Sequence, residues 1–165
     1  MERVLDTAAL LHWPLERLTG GVCAASQLDE LANLSQERAL LVEPADVVWR
    51  AVPEAWLTHA KDVASTTGDL PRLSDVDLDV LALALGLSAV LVTDDYRLQN
   101  CYKHAGGRVE AVVNAPSTAV WTWELRCIGC RDTAEVPADV QRSKDKMAGE
   151  CQRCGSPMHV KRRRR

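Results

Sequence analysis

Two residue types in this chain are spaced for metal chemistry. The first is cysteine. Cys127-Ile128-Gly129-Cys130 and Cys151-Gln152-Arg153-Cys154 are two CxxC pairs with 20 residues between them. One CxxC loop presents two thiolates to one ion, and a second pair completes a tetrahedron. A full set of four soft thiolates selects Zn²⁺ and leaves it no open position, so an ion held this way is structural. A rubredoxin-like iron site and a pair of redox disulfides are the competing readings. The basic neighbours Arg126, Arg131 and Arg153 favour nucleic-acid contact instead. Cys23 and Cys101 lie outside the pattern and read as buried small hydrophobes.

The second type is the carboxylate. Asp6 directly follows the apolar pair Val4-Leu5, and Asp94-Asp95 follow the apolar run Ala89 to Thr93. Asp77 stands in the first turn of the longest apolar segment, and Glu30 lies in an amphipathic stretch. Two carboxylates 4–5 Å apart repel by several kcal/mol at an effective dielectric near 20. A divalent cation removes that repulsion, and oxygen ligands select hard ions such as Mg²⁺ or Mn²⁺. Each acid also has an ordinary reading. Ser74-x-x-Asp77 resembles a capping box, Asp95 could cap the helix after it, and Glu30 could face solvent. Asp6 is the hardest to dismiss, because an acid next to a buried run needs a partner. Other chemistries find no support: there is no GxxxxGK[ST], no HExxH, and no metal spacing among His12, His59, His104 and His159.

The elements that must position these groups alternate. Val4-Leu5-Asp6 reads as a short buried strand ending at an acid. Thr7 to His12 is a loop or short helix. Ala25 to Leu34 has Leu28, Leu31 and Leu34 at helical spacing behind Ser26 as N-cap. Ala39 to Val42 reads as a second strand, and Pro44 to Thr67 as two helical stretches interrupted by Pro53. Ser74 to Leu87 is too long for a strand and reads as a buried helix. Ala89 to Thr93 is a strand, Tyr96 to His104 a helix stopped by Gly106-Gly107, and Val109 to Val113 a final strand. Alternation of this kind predicts an α/β fold with a mostly parallel sheet flanked by helices, followed by a small β-rich ribbon. Ligands of such sheets bind beyond the carboxyl ends of the strands. The expected division is 1–113 for the α/β unit, 114–119 for a linker, 120–158 for the ribbon and 159–165 for a basic tail.

Charge divides the same way. Residues 1–119 carry 17 acids against 9 Lys and Arg, whereas residues 120–165 carry 6 against 11. An acidic unit repels RNA unless cations sit in it, and a basic partner can supply the grip. No membrane span is expected, since no run of 18 apolar residues occurs. The start of the chain lacks the pattern of a secretion signal, which points to a cytoplasmic location, where six cysteines favour metal over disulfides.

Taken in order, Val4-Leu5-Asp6-Thr7, Glu30, Leu73 to Ala84, and Leu91-Val92-Thr93-Asp94-Asp95-Tyr96 resemble the PIN-domain nucleases. Gly68-Asp69-Leu70-Pro71, Leu98-Gln99-Asn100, Trp123 to Cys127 and the cysteine ribbon resemble one branch, the NOB-type ribosome-biogenesis endonucleases. The resemblance covers about residues 3 to 158. It implies that Asp6, Glu30, Asp77 and Asp95 form an acidic site for Mg²⁺ or Mn²⁺, with Asp94 a fifth member. It also implies metal-dependent cleavage of single-stranded precursor rRNA at the 3′ end of small-subunit rRNA, on the pre-small ribosomal subunit. The ribbon and tail would bind RNA. Trp121 and Trp123 could stack on bases, although packing is the favoured reading. A PIN-type toxin ribonuclease and a non-catalytic zinc-ribbon RNA-binding protein are the alternatives.

Overall fold

Val4 and Leu5 point to opposite sides of one strand, and both are fully buried. The sheet that holds them is therefore covered on both faces, as parallel sheets are. The computed structural model describes residues 1–114, 119–137, 140 and 147–163. Five strands form that sheet: β1 (Arg3–Leu5), β2 (Val22–Ala24), β3 (Val48–Arg50), β4 (Val90–Val92) and β5 (Val109–Glu110). Their order is β3-β2-β1-β4-β5, and every pairing is parallel. Val4 aligns with Val22 on one side and Leu91 on the other. The strand order reverses between β1 and β4, which is where such a sheet opens a crevice at its carboxyl edge.

Helices cover the two faces. α1 (Thr7–His12), α2 (Leu15–Leu18), α3 (Gln27–Leu34) and α4 (Gln36–Val42) supply Ala9, Leu10, Leu18, Leu31 and Val42 to the core built on Leu5, Cys23 and Val92. α5 (Glu54–Thr67), α6 (Asp75–Leu87) and α7 (Tyr96–His104) cover the face of Val4, Val22 and Leu91. The apolar run in α6 buries Leu78 and Val80 to Ala84 without a break, as a helix packed on several sides must. Trp56 of α5 lies against the backbone of α6 at Gly86. A Cβ there would stand 2.1 Å from the indole.

Several expected elements differ. Ala39 to Val42 is helical, because Ser35 caps α4 by accepting the Arg38 amide and Ala-Leu-Leu carries strong helix propensity. Pro44 to Thr67 is not two helices. It holds the edge strand β3, then α5 with Pro53 at its N-cap. Strand β2, only three residues long, was not foreseen at all. The final strand ends at Glu110, since the Val112, Val113 and Asn114 amides turn to the Asp94 carboxylate.

The ribbon is a separate antiparallel sheet of order β7-β6-β9-β8. Its strands are β6 (Trp123–Cys127), β7 (Thr133–Ala134), β8 (Met147–Glu150) and β9 (Pro157–Arg162). β9 runs across the expected boundary at 158. His159 to Arg162 are not tail but pair with Arg126 back to Trp123, because Met158-x-Val160 alternate inward with polar neighbours outward. Of the expected linker, residues 115–118 lie outside the described residues, as do 164–165 of the tail.

Candidate active site and sulfur cage

Asp6 ends β1 and caps α1 in one step. Its Oδ1 accepts the Thr7 amide at 2.7 Å, and its Oδ2 accepts the Thr93 hydroxyl at 2.5 Å. The residue is 8% exposed. Burial pushes its pKa up to about 6, against the hydrogen bonds from Thr93 and Thr7, and the charges of Asp77 and Asp95 add to the rise. Asp77 and Asp95 are thus near enough to be felt. Among the described residues the ion pairs join Arg50 to Glu2, Arg108 to Glu110, and Arg126 and Arg163 to Glu124. These pairs leave Asp6, Glu30, Asp77 and Asp95 out.

Two threonines orient the acids. Thr93 follows β4, accepts the Asp95 amide at 3.0 Å, and so turns its proton to Asp6. Thr7 accepts from the Gln27 amide at 3.2 Å and donates to Glu30 Oε2 at 2.5 Å. Gln27 is fully buried. Its Nε2 also reaches the Leu5 carbonyl at 3.0 Å, while its Oε1 takes the Ala24 amide at 2.7 Å. It joins the ends of β1 and β2 to the hydroxyl that holds Glu30. Nothing in the sequence reading singled it out. The signal was a lone amide side chain among the apolar positions that open α3.

The other acids hold ordinary places in the structure. Asp77 and Ser74 form a reciprocal capping box at the start of α6. Asp95 caps α7 by accepting the Arg97 amide at 2.7 Å. Neither bond uses a carboxylate's full accepting capacity. Asp94 differs. Its oxygens take the amides of Val112, Val113 and Asn114 and the Asn114 side chain. Its partners are therefore those of a loop clamp, and the structure does not bring it into the Asp6 network. Ser26 does not cap α3 with its side chain; the hydroxyl donates to Asp79 of α6 instead.

The cysteines come together closely. All four sulfurs lie within 4.8 Å of one another, with Cys127–Cys154 at 3.4 Å and Cys130–Cys151 at 3.6 Å. They form the one set of three or more Cys, His, Asp or Glu ligand atoms gathered this tightly among the described residues; the carboxylates stand farther apart. The sulfurs titrate as one set: hydrogen bonds from Ser156 lower Cys154, while desolvation and the neighbouring sulfurs raise Cys130. Cys23 and Cys101 are buried, and burial pushes both thiols up to about 12.

Trp123 is half-buried and packs with the ribbon core of Leu125, Val136 and Met158. Trp121 is 41% exposed and lies under the Arg162 guanidinium, 3.8 Å from the ring centroid. A groove of about 390 Å³ on the ribbon is lined by Arg126, Arg131, Lys161, Cys127 and Ile128.

A family model described as the PIN domain of ribonuclease matches residues 4–87. The chain is also similar to Endoribonuclease Nob1 of Methanocaldococcus jannaschii, 29% identical over 96% of this chain and 77% of that protein. It is 33% identical to Endoribonuclease Nob1 of Pyrococcus abyssi over 77% of this chain and 68% of that one. Ribonuclease VapC1 of Thermoplasma acidophilum is 32% identical over 83% and 71%. A parallel sheet with an acid at the end of β1, a second acid pair after β4, and this match together place the chain in the PIN-domain ribonucleases, as an endoribonuclease.

Proposed function

We propose that this endoribonuclease cleaves single-stranded precursor rRNA at the 3′ end of small-subunit rRNA, on the pre-small ribosomal subunit in the cytoplasm. One observation supports the site above all. A nearly buried carboxylate, Asp6, sits at the switch point of the sheet, near two other acids and outside the ion pairs described above. Such a group needs a cation from solution. The donors are all oxygen, which suits Mg²⁺ or Mn²⁺. Asp6, Glu30, Asp77 and Asp95 are the residues that would hold one or two such ions, and Asp94 is left to the loop. The bound ion supplies positive charge to the phosphoryl oxygens and acidity to water.

The chain's own groups do the rest. Thr93 and Thr7 fix Asp6 and Glu30 by hydrogen bonds whose direction their other partners set. The acids orient water for in-line attack at phosphorus, which leaves a 5′-phosphate and a 3′-hydroxyl. Attack by the 2′-hydroxyl needs a general base such as histidine. Among the described residues no hydrogen bond joins a histidine to Asp6 or Thr93.

The ribbon, with residues 120–162 as its extent, supplies the grip. A tetrahedron of sulfurs about Zn²⁺ has edges of about 3.8 Å when Zn–S is about 2.3 Å. The Cys127–Cys154 and Cys130–Cys151 distances suit that size. Arg131 and Lys161 beside the cage offer charge to phosphates. The ribosomal reading rests on the resemblance of the sequence blocks and on the similarity to M. jannaschii Endoribonuclease Nob1, which runs through the ribbon.

The test is cleavage of a precursor fragment spanning the small-subunit rRNA 3′ end, with and without Mn²⁺. Asp6→Asn is expected to lower kcat by at least a hundredfold with a normal circular dichroism spectrum. Full activity of that variant, or of the parent in excess EDTA, removes the reading. The similarity to Ribonuclease VapC1 favours a second reading, a toxin acting on tRNA or mRNA. Cutting of tRNA in preference to the precursor, with arrested growth on expression, would select it.

A further inference from the structure

Two sequence blocks take no part in the acid network: Gly68-Asp69 after α5, and Asn100 in α7. Both face the strand that leads into the ribbon. Asn100 engages the backbone of Trp121 twice. Its Oδ1 accepts the Trp121 amide at 2.6 Å, and its Nδ2 donates to the Trp121 carbonyl at 2.7 Å. One side chain thereby makes the pair of bonds a neighbouring strand would make. The same Nδ2 donates to Asp69 Oδ2 at 2.6 Å. Asp69 is 2% exposed, and the Trp123 side chain donates to it as well. At Gly68, with φ of +80°, a Cβ would stand 2.5 Å from the Trp123 Cβ. The Arg72 guanidinium lies 5.7 Å from the Trp123 ring centroid. A buried acid and a buried amide are tolerated only when their bonds are made. Here Trp121 and Trp123, at the start of the ribbon, are among the groups that complete them.

We propose that Asp69 and Asn100 form a clasp that seats the ribbon on the nuclease unit. They thereby set the span between the basic groove at Arg131 and Lys161 and the acids around Asp6, and this makes them specificity-determining residues. The functional half rests on the nuclease reading above. A ribbon swinging on a tether offers many spans to a bound RNA, whereas a seated ribbon offers one. The position of the cut then follows from the geometry of the fold. A short single strand that reaches only the acids should not sense the clasp.

The test uses the full chain with its metals. Asn100→Ala removes the clasp, and Asn100→Asp keeps its shape while setting a second carboxylate against Asp69. Hydrogen exchange at the Trp121 amide should quicken at least tenfold in both. On an RNA long enough to touch groove and acids, kcat/KM should fall about tenfold or more, and cuts should spread to neighbouring phosphodiesters. Cleavage of the short strand should stay unchanged. If either variant fails to fold, Gly68→Ala presses on Trp123 from the other side and is read the same way. A Trp121 amide that exchanges as fast in the parent as in the variants overturns the clasp. Loss of protection with unchanged long-RNA cutting overturns its role in specificity. If the parent cuts neither RNA, the nuclease reading fails, and the exchange comparison alone decides the clasp.

Discussion

Asp6 carries electrostatic tension in the candidate acid site, because it is buried. Its carboxyl titrates near 3.8 when unfolded and about 6 when folded. The folded state therefore binds the proton more tightly, and stability falls as pH rises from about 4 through 6. Above pH 6 the full penalty is present, on the order of 3 kcal/mol for a rise of about two units. Asp6→Asn should accordingly raise the Tm of metal-free protein at pH 7.5 by several degrees. The gain should shrink toward zero near pH 4, and thermal melts across that range read it. Mn²⁺ should raise the Tm of the parent but leave the variant unmoved. A variant that melts below the parent at every pH would show that Asp6 is a structural anchor with no unmet charge.

At the scale of elements, the contact of α5 with α6 is set by one missing side chain. Glycine inside a helix costs about 1 kcal/mol relative to alanine, yet Gly86→Ala should destabilise the protein by about 1–3 kcal/mol. The new methyl meets the Trp56 indole, so ring or helix must shift. Urea unfolding measures the change, and a gain in stability would contradict the packing described. The same scale explains what was legible in sequence. The long apolar helix, the strand before Asp94 and the helix after Asp95 could be read, because their runs are long or sharply capped. Strands β2 and β3 could not, since three residues make no period. Ala39 to Val42 misled because an apolar run of four has no intrinsic preference between strand and helix once Ser35 provides a cap. For the candidate site, Asp6 and Asp95 can be nominated from their place after buried runs. Asp94 was drawn in by adjacency, and only the loop amides around it reveal its separate task. Gln27 acts through atoms contributed by Leu5, Thr7 and Ala24, a convergence that no local pattern encodes.

Across the whole molecule, the two units are held by different means. The nuclease unit has a two-faced apolar core, while the ribbon core comprises Leu125, Cys127, Val136, Cys151 and Met158 with a few half-buried neighbours. A metal at the four sulfurs, as proposed, would complete the stability of so small a core. A strong zinc chelator, or Cys127→Ser with Cys130→Ser, should unfold the ribbon and leave the parallel sheet intact. The heteronuclear NMR spectrum should lose the dispersed ribbon signals alone, and zinc content should fall to zero. Dispersed signals from residues 123–127 in the metal-free protein would show that the cage is not what holds this unit.

β1 is the middle strand of its sheet, and β4, its partner, comes some 85 residues later in the chain. During synthesis the opening segment must therefore wait, unpaired on one side, until β4 clears the exit tunnel. Asp6 meets Thr93 only then. On the acid site proposed above, a nascent chain gains the power to cut nearby RNA only when the nuclease unit is almost wholly made.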